Sequence, residues 1–127
     1  MLFHYNYALG LRVGGVNIPD PSEWTYQVGD LDTSGSRDAT GLLHRAYVAT
    51  KINYEFKWNA IEWEMLERIL KACKSPKFKL TAPDPRDFSE KYTGDYYVGD
   101  RTGKNHYYLP ERPDIAVFDL KLKFIEY

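Results

Sequence analysis

The sequence has little cysteine, no long apolar run and almost no net charge, and each shortage excludes a class of protein. Cys73 is the one cysteine in 127 residues, which excludes an internal disulfide and a cysteine-based zinc site. No uncharged apolar stretch approaches the roughly 20 residues that a membrane helix needs. The 17 basic and 18 acidic residues leave a net charge of −1, so no overall field favours nucleic acid or a membrane as a partner.

Motifs for catalysis and metal binding are also missing. The three histidines have no paired spacing, and no serine lies in a G-x-S-x-G elbow. Asp30 and Asp32, like Asp84 and Asp87, lie beside glycine or proline and lack the regular oxygen ligands of a calcium loop, so turn chemistry explains them better. We therefore expect no enzyme, no catalytic residue, no metal site and no cofactor.

Aromatic residues are abundant, with 11 Tyr, 6 Phe and 3 Trp. Such residues favour strands, and Tyr and Trp are also common at protein interfaces because a wide apolar body carries one polar tip. Basic residues lie among the aromatics in "NYEFKW" and "KNHYYLPER", as in single-strand binders, but Glu55 and Glu111 interrupt both patches. A protein interface is therefore the better interpretation.

Alternation of apolar and polar residues predicts most of the secondary structure. The clearest case is 42–58, where the even positions from Val48 to Trp58 form one apolar face, so we expect a strand. The same pattern predicts strands over 116–124 and in "KFKLTA". The first 13 residues and "TYQVG" are weaker strand candidates.

One segment, about 59–74, has the pattern of a helix. Asn59 is a candidate N-cap, with Glu62 three residues later, and Pro76 stops the helix. Its apolar stripe consists of Ile61, Met65, Leu66, Ile69, Leu70 and Cys73.

These elements predict one domain over 1–127 of the α+β class. We expect mainly an antiparallel β-sandwich or split barrel, with one flanking helix and a long projecting hairpin. A straight strand over 42–58 would span about 55 Å and exceed a domain of this size, about 35 to 40 Å across. It therefore either bends or projects as a hairpin, whose tip is the polar, glycine-rich "GDLDTSGSRDATG". The predicted core consists of Phe56, Trp58, Ile61, Met65, Leu66, Ile69, Phe78, Leu80, Phe118, Leu120 and Leu122.

The run "GDRTGKN" at 99–105 is close to a phosphate-binding loop but does not match one. Such a loop needs four residues between the first glycine and the Gly-Lys pair, then Ser or Thr, then a helix. Here three residues intervene, Asn105 follows the lysine, and "HYYLPERP" is a poor helix start. We expect a strand–turn–strand, with Gly103 at a positive φ.

Four short motifs lie in a fixed order from about Val13 onward. They occupy Gly15–Pro19, Arg37–Gly41, Tyr97–Asp100 and Phe124–Glu126. In this order they resemble a family of small proteins of unassigned function, encoded among the tail genes of tailed bacteriophages and prophages of Gram-positive bacteria. The resemblance implies a fold like that of tail-tube and distal-tail proteins, and a structural subunit, arranged in a ring, that acts by assembly.

The expected function is therefore that of a non-catalytic tail or baseplate protein. It would contact other copies of itself and neighbouring tail proteins, be assembled in the host bacterial cytoplasm and reside in the virion tail. The absence of a basic leader before an apolar run is consistent with assembly in the cytoplasm. The expected subunit interface comprises Asp32, Ser36, Arg37, Asp38, Arg45 and Tyr47.

An alternative is a small ligand- or carbohydrate-binding β-sandwich module. Its stacking platform would be formed by exposed tyrosines, since flat aromatic rings present a large contact surface. The expected residues are Tyr96, Tyr97, Tyr107 and Tyr108.

Overall fold

A computed structural model describes residues 4–37, 43–112 and 115–127, with side chains outside 30–37 and 43–49. In these ranges the chain forms seven strands and one helix. The elements are β1 Arg12–Val13, β2 Val16–Asn17, β3 Glu23–Arg37, β4 Leu43–Glu62, α1 Trp63–Ala72, β5 Phe78–Asp84, β6 Asp87–Tyr107 and β7 Val117–Glu126.

All the strands belong to one antiparallel sheet in the order β2-β1-β5-β6-β7-β4-β3. Consecutive strands of the β3–β4 and β5–β6 hairpins are neighbours, and β7 returns to lie between β6 and β4. The sheet is not closed: β2 forms one edge and β3 the other. This confirms the predicted α+β, mainly antiparallel class.

The core lies against one face of the sheet, and β4 shows why. Its even-numbered side chains from Ile52 to Trp58 are buried, whereas the odd-numbered ones between them are partly exposed. Strand geometry sends alternate side chains to opposite faces, so the predicted alternation is confirmed. Of the predicted core, only Leu66 and Phe118 are half-buried, and the other members are buried. Each fully buried large side chain contributes about 1.5 to 3 kcal/mol.

Polar tips of buried aromatics join distant parts of this face. The Tyr54 hydroxyl donates to the Pro83 carbonyl oxygen at 2.8 Å, although β4 and β5 are not neighbours in the sheet. The Trp58 indole donates to the Pro19 carbonyl oxygen at 3.0 Å. Buried polar groups must be satisfied, and the Tyr54 bond does so by bringing β4 and β5 together across the core face.

The helix begins later than predicted. β4 continues through Glu62, and the N-cap position of α1 is Glu62 without a side-chain capping bond. Asn59 lies in an irregularity of β4, where its backbone N–H donates to Ser22 Oγ at 2.9 Å. Ala60 adopts φ 57°, and its N–H donates to Asp119 Oδ1 at 3.0 Å. These two tertiary partners outweigh the local capping preference, so the assignment of Asn59 as a cap is wrong.

The end of α1 is close to the predicted one. Cys73 follows the helix, and Arg101 from β6 donates to the Cys73 carbonyl oxygen at 2.8 Å. A cation at this position suits the negative end of the helix dipole and satisfies a terminal carbonyl. Ile69 is fully buried and fixes the helix on the sheet.

The predicted turn at 99–105 is wrong, because β6 continues through it to Tyr107. Gly103 has no positive φ and pairs with Leu120 of β7. A Cβ at Gly103 would lie 2.4 Å from the Asp119 carbonyl oxygen. The glycine is therefore needed for close approach of two backbones rather than for a turn. No helix follows Lys104 in the described segment to residue 112, so the local requirement of a phosphate loop is not met.

The strand predicted for the first 13 residues is mostly wrong. Among residues 4–13, only Arg12–Val13 form a strand, and this strand is two residues long. The preceding backbone is instead held by Asp20, whose carboxylate accepts from the N–H groups of Ala8 at 3.1 Å and Leu9 at 3.0 Å. A side chain supplies the acceptors that a neighbouring strand would otherwise supply.

Candidate functional site

The β3–β4 hairpin extends past the rest of the sheet. Its register runs from Glu23 opposite Lys57 to Arg37 opposite Leu43. β7, the other neighbour of β4, pairs only with its second half, from Tyr54 to Glu62. In the described part of the chain, β4 from residue 43 to 53 thus has one strand partner, and this part spans about 36 Å. We call it, with the β3 residues that pair with it, the ribbon.

The expected interface residues lie on the ribbon. Asp32 is directly opposite Tyr47, near irregularities that flank Asp32 on β3. Ser36 and Arg37 follow on β3, and Arg45 lies opposite Gly35, so these backbone positions are close together. Asp38 lies outside the described residues. The expectation that these residues contact another subunit stays a prediction.

Glu126 ties the root of the ribbon to the sheet. Its carboxylate accepts from the backbone N–H of Ile52 at 2.8 Å, where pairing between β4 and β7 has ended. Its own N–H donates to Asn53 Oδ1 at 3.0 Å, and the Tyr92 hydroxyl of β6 donates to the second carboxylate oxygen. Lys51 donates to the Tyr127 carbonyl oxygen beside them. One carboxylate therefore joins β4, β6 and β7.

The surroundings of this carboxylate explain two neighbouring residues. Burial and the hydrogen bond to Glu126 raise the pKa of Tyr92 to about 12, so its phenol remains a donor at neutral pH. A Cβ at Gly94 would lie 2.7 Å from Glu126 Oε2, so a side chain there would displace the carboxylate. Sequence reasoning marked Glu126 only as part of a terminal motif and missed this role.

The four tyrosines expected to form a stacking platform do not form one. Tyr96 is fully buried, and its hydroxyl donates to the Ile52 carbonyl oxygen at 2.5 Å, so its assignment as a surface residue is wrong. Tyr97 is half-buried and packs against Tyr127 at 5.1 Å between ring centroids. Tyr107 and Tyr108 are half exposed but lie at the far end of β6. The strand separates the two pairs by about 30 Å.

Tyr108 belongs instead to an aromatic cluster with Trp63 at the helix start. The Trp63 ring lies 6.3 Å from that of Tyr108 and 5.9 Å, edge-on, from that of Phe118. Trp63 is partly exposed, so the cluster presents ring surface to solvent. The sequence analysis did not identify Trp63 as a surface residue.

A hydrogen-bonding pair of side chains, His106 and Asp119, lies at the same end of β6 and β7. His106 Nε2 is 2.7 Å from Asp119 Oδ2, and the other oxygen of Asp119 accepts from the N–H of Ala60. The Ala60 hydrogen bond and then the imidazole lower the pKa of Asp119, while its partial burial opposes them. This arrangement stabilises the irregularity of β4, since Ala60 holds a backbone conformation that is unfavourable for any residue except glycine.

The outer edge of β3 carries an exposed continuation of the core face. Trp24, Tyr26 and Val28 lie opposite Phe56, Tyr54 and Ile52 of β4, and opposed residues of antiparallel strands share a face. Tyr26 is 54% exposed and Val28 39% exposed. Phe88, near the start of β6 and 64% exposed, lies 6.4 Å from Trp24 between ring centroids. The alternation in "EWTYQV" could have predicted this row.

Burial shifts the pKa of two titratable groups at or beside α1, Cys73 and Tyr5. Cys73 is buried, and burial raises the pKa of its thiol to about 12, so it is a core residue rather than a nucleophile. An open cavity of about 440 Å³ above α1 is lined by Tyr5, Met65 and charged side chains. In that cavity the Glu62 N–H donates to the Tyr5 hydroxyl at 3.0 Å, and burial raises the pKa of Tyr5.

Metal binding and membrane crossing depend on the side chains and the helix of the described residues. No three of their His, Cys, Asp or Glu side chains are grouped so that they could hold a metal ion. Their one helix is too short and too polar to cross a membrane.

Comparisons of the chain with protein-family models, with curated proteins and with solved structures give no match.

Proposed function

We propose that this chain is a structural subunit of a bacteriophage or prophage tail or baseplate that acts by self-assembly and not by catalysis. Its partners are other copies of itself, arranged in a ring, and neighbouring tail proteins. Neither nucleic acid nor a membrane is a partner in this proposal. It is assembled in the host bacterial cytoplasm and then resides in the virion tail. The proposal rests on the order of the four sequence motifs and on the shape of the sheet.

The observation that carries the proposal is the ribbon. From residue 43 to 53, β4 is paired with β3 alone in the described residues, while the remainder of β4 lies between two strands. An extended two-stranded hairpin is marginally stable alone, and its long edges invite pairing with other chains. A neighbouring subunit that covers it supplies the missing contacts. The residues proposed for that interface are Asp32, Ser36, Arg37, Asp38, Arg45 and Tyr47.

We also propose that the curled sheet is a split barrel or sandwich around its core. The Tyr54 bond to Pro83, the Tyr96 bond to Ile52 and the contact of Trp24 with Phe88 each join strands that are not neighbours in the sheet. These contacts bring the β5–β6 hairpin over β3 and β4. The ribbon then leaves this body at one end, as the expected tail fold requires.

Deletion of residues 33–40 tests the proposal. The deletion should leave the curled sheet folded, because the described core residues lie outside it, but it should abolish assembly into rings. Circular dichroism would report the fold, and negative-stain microscopy at high protein concentration would report assembly. A replacement of 33–40 by glycine and serine of equal length is the matched control for chain connectivity. Rings formed by the deletion variant, or its unfolding, would contradict the proposed role of the hairpin.

The alternative, a small ligand- or carbohydrate-binding module, has support from the aromatic cluster of Trp63, Tyr108 and Phe118. Partly exposed rings beside the His106–Asp119 pair offer both stacking surface and hydrogen-bonding groups. A glycan array and a titration of Trp fluorescence would distinguish the two functions. Saturable binding by a stable monomer, lost on Trp63→Ala, would favour the module.

A further inference from the structure

The outer edge of β3 lacks the features that keep a sheet edge unpaired. Between Glu23 and Asp30 the strand has no charged residue and no proline. Natural monomers protect long edges with lysine, proline, bulges or short strands. β3 is 15 residues long and has its register irregularities only beyond Leu31. Among residues 4–37, 43–112 and 115–127 no strand pairs with the outer side of β3, so the segment 24–29 is a regular edge with capacity for further backbone hydrogen bonds.

A strand placed along this edge would also cover apolar surface. The core-face row of Trp24, Tyr26 and Val28 ends at the edge, with Tyr26 and Val28 substantially exposed. Phe88 lies beside Trp24 and is exposed too. Backbone pairing and burial of the row would therefore occur together.

The sequence of the edge is complementary to itself. When two copies of β3 are antiparallel with Tyr26 opposite Tyr26, Trp24 lies opposite Val28 of the second copy on the core face. Thr25 then lies opposite Gln27 on the other face, and Glu23 opposite Gly29, so no like charges meet.

Neighbouring registers fit less well. Directly opposed residues must lie on the same face of the sheet. The nearest other registers that satisfy this place the two-fold axis at Thr25 or at Gln27. With the axis at Gln27, Trp24 would lie opposite the acidic Asp30 of the second copy. With the axis at Thr25, Val28 would lie opposite Ser22. The edge formed by β2, at two residues, is too short to serve as the partner strand.

We propose that two copies of this chain pair edge to edge through β3, antiparallel and about a two-fold axis at Tyr26, so that their sheets become continuous. The inference rests on the proposed function because it takes another copy of the chain as the partner. The self-complementary register of β3 around Tyr26 supports the same partner independently. A two-fold contact closes on itself, whereas a ring needs a head-to-tail contact. The β3 contact and the ribbon contact are therefore separate and can be lost separately.

The test measures the mass of the full chain in solution by light scattering over a concentration series. At concentrations below those at which rings assemble, the wild type should reach twice the 14.8 kDa of one chain. Tyr26→Lys places two like charges opposite each other at the axis, so the association constant should fall roughly 10-fold or more. Tyr107→Lys is the matched control, since Tyr107 is similarly exposed at the far end of β6, and it should dimerise like the wild type.

Mixing two variants tests the axis itself. Tyr26→Lys and Tyr26→Glu should each be monomeric, and their equimolar mixture should form a dimer because opposite charges then meet. Should the charged variants fail to fold by circular dichroism, Tyr26→Cys provides a second measurement. It should form an intermolecular disulfide under mild oxidation, whereas Tyr107→Cys should not, and Cys73 is buried in both.

A wild type that remains monomeric at every concentration would overturn the proposal, and so would a Tyr26→Lys variant that dimerises normally. The deletion of 33–40 separates this result from the proposed function, because that variant retains 24–29. Loss of rings with a retained dimer supports both contacts. Rings that survive Tyr26→Lys, while the wild-type dimer does not form, would overturn the edge pairing alone.

Discussion

Two glycines of this sheet lie where another backbone or a side chain approaches closely. Gly103 faces the Asp119 carbonyl oxygen, and Gly94 faces the Glu126 carboxylate. Neither residue has a positive φ, so their lack of a side chain matters more than their conformational freedom. The sequence analysis placed Gly103 in a turn because the run does not match a phosphate-binding loop and glycine readily adopts the positive φ of a turn. The contact that requires this glycine comes from a strand that follows it by many residues.

Gly103→Ala should destabilise the fold. The added Cβ would lie 2.4 Å from a backbone oxygen of β7, so two paired strands must move apart. We expect a loss of about 1 to 3 kcal/mol in the free energy of unfolding, measured with urea. Gly29→Ala is the matched control, because no atom lies within 4 Å of its added Cβ, and it should change stability little. An equal effect of the two substitutions would contradict the close approach.

Asp119→Asn should destabilise the fold in a pH-dependent way. The pKa of Asp119 is lowered in the folded state, chiefly by the Ala60 N–H, so its charge stabilises the fold above the unfolded pKa of about 3.9. This contribution is lost as the pH falls through the folded pKa. We expect a cost of about 1 kcal/mol at pH 7, measured by urea unfolding.

The control for Asp119→Asn is Glu23→Gln, which removes a carboxylate from an exposed pair with Lys57 at 3.8 Å. Exposed pairs contribute little, so this variant should resemble the wild type at both pH values. The difference between Asp119→Asn and the wild type should shrink below about pH 4. A difference that stays constant down to pH 3 would show that the charge of Asp119 is not its cause.

At the scale of elements, β7 supports the whole sheet because it lies between the two long strands β4 and β6. Leu120 pairs with Trp58 on one side and with Gly103 on the other, and its side chain is buried. α1 instead contributes one face, on which Ile69 is buried and Leu66 half-buried. Truncating a leucine to alanine should therefore lower the free energy of unfolding more in β7 than in α1.

Leu120→Ala should cost about 2 to 5 kcal/mol in the free energy of unfolding, because it leaves a cavity in the centre of the sheet. Leu66→Ala should cost less, since part of this side chain is already in contact with water. Urea unfolding of both variants measures the difference. If Leu120→Ala lowers the free energy of unfolding by well under 1 kcal/mol, the Leu120 side chain does not point into the core.

The elements that sequence predicted best are those with a strict period. The alternation in 42–58 predicted which residues of β4 are buried, and the helix stripe predicted Met65, Ile69 and Cys73. The start of α1 was wrong, because Ser22 and Asp119 bind the backbone at 59 and 60. These partners are distant in sequence, and a local capping pattern contains no information about them.

Candidate sites were predicted less well than elements. The position of Tyr96 within "DYYVG" did not reveal which of its two tyrosines points inward, and the structure buries Tyr96 and leaves Tyr97 half-buried. The exposed edge of β3 was missed because an edge is defined by which strands are neighbours. Strand order depends on contacts between β4 and β7, far apart in the chain, so "EWTYQV" alone indicates a strand but not its place.

At the scale of the whole molecule, a sheet that is not closed offers two different surfaces to other chains. One is the ribbon, which extends beyond β7, and the other is the regular edge of β3 beside Tyr26. The first suits a head-to-tail neighbour and the second a two-fold partner. A subunit with both contacts can be joined into a ring and paired with a second ring, so assemblies of two sizes are expected when one contact is removed at a time.

The bonds at Glu126 also have a mechanical consequence. A strip two strands wide bends more readily than the broad sheet from which it emerges, so a load applied to the strip concentrates at the position where β7 ends. There the Glu126 carboxylate accepts from the Ile52 N–H and the Tyr92 hydroxyl, and the Asn53 and Lys51 bonds lie beside it. A force on the strip would therefore act first on the hydrogen bonds of Glu126, which connect the strip to β6 and β7.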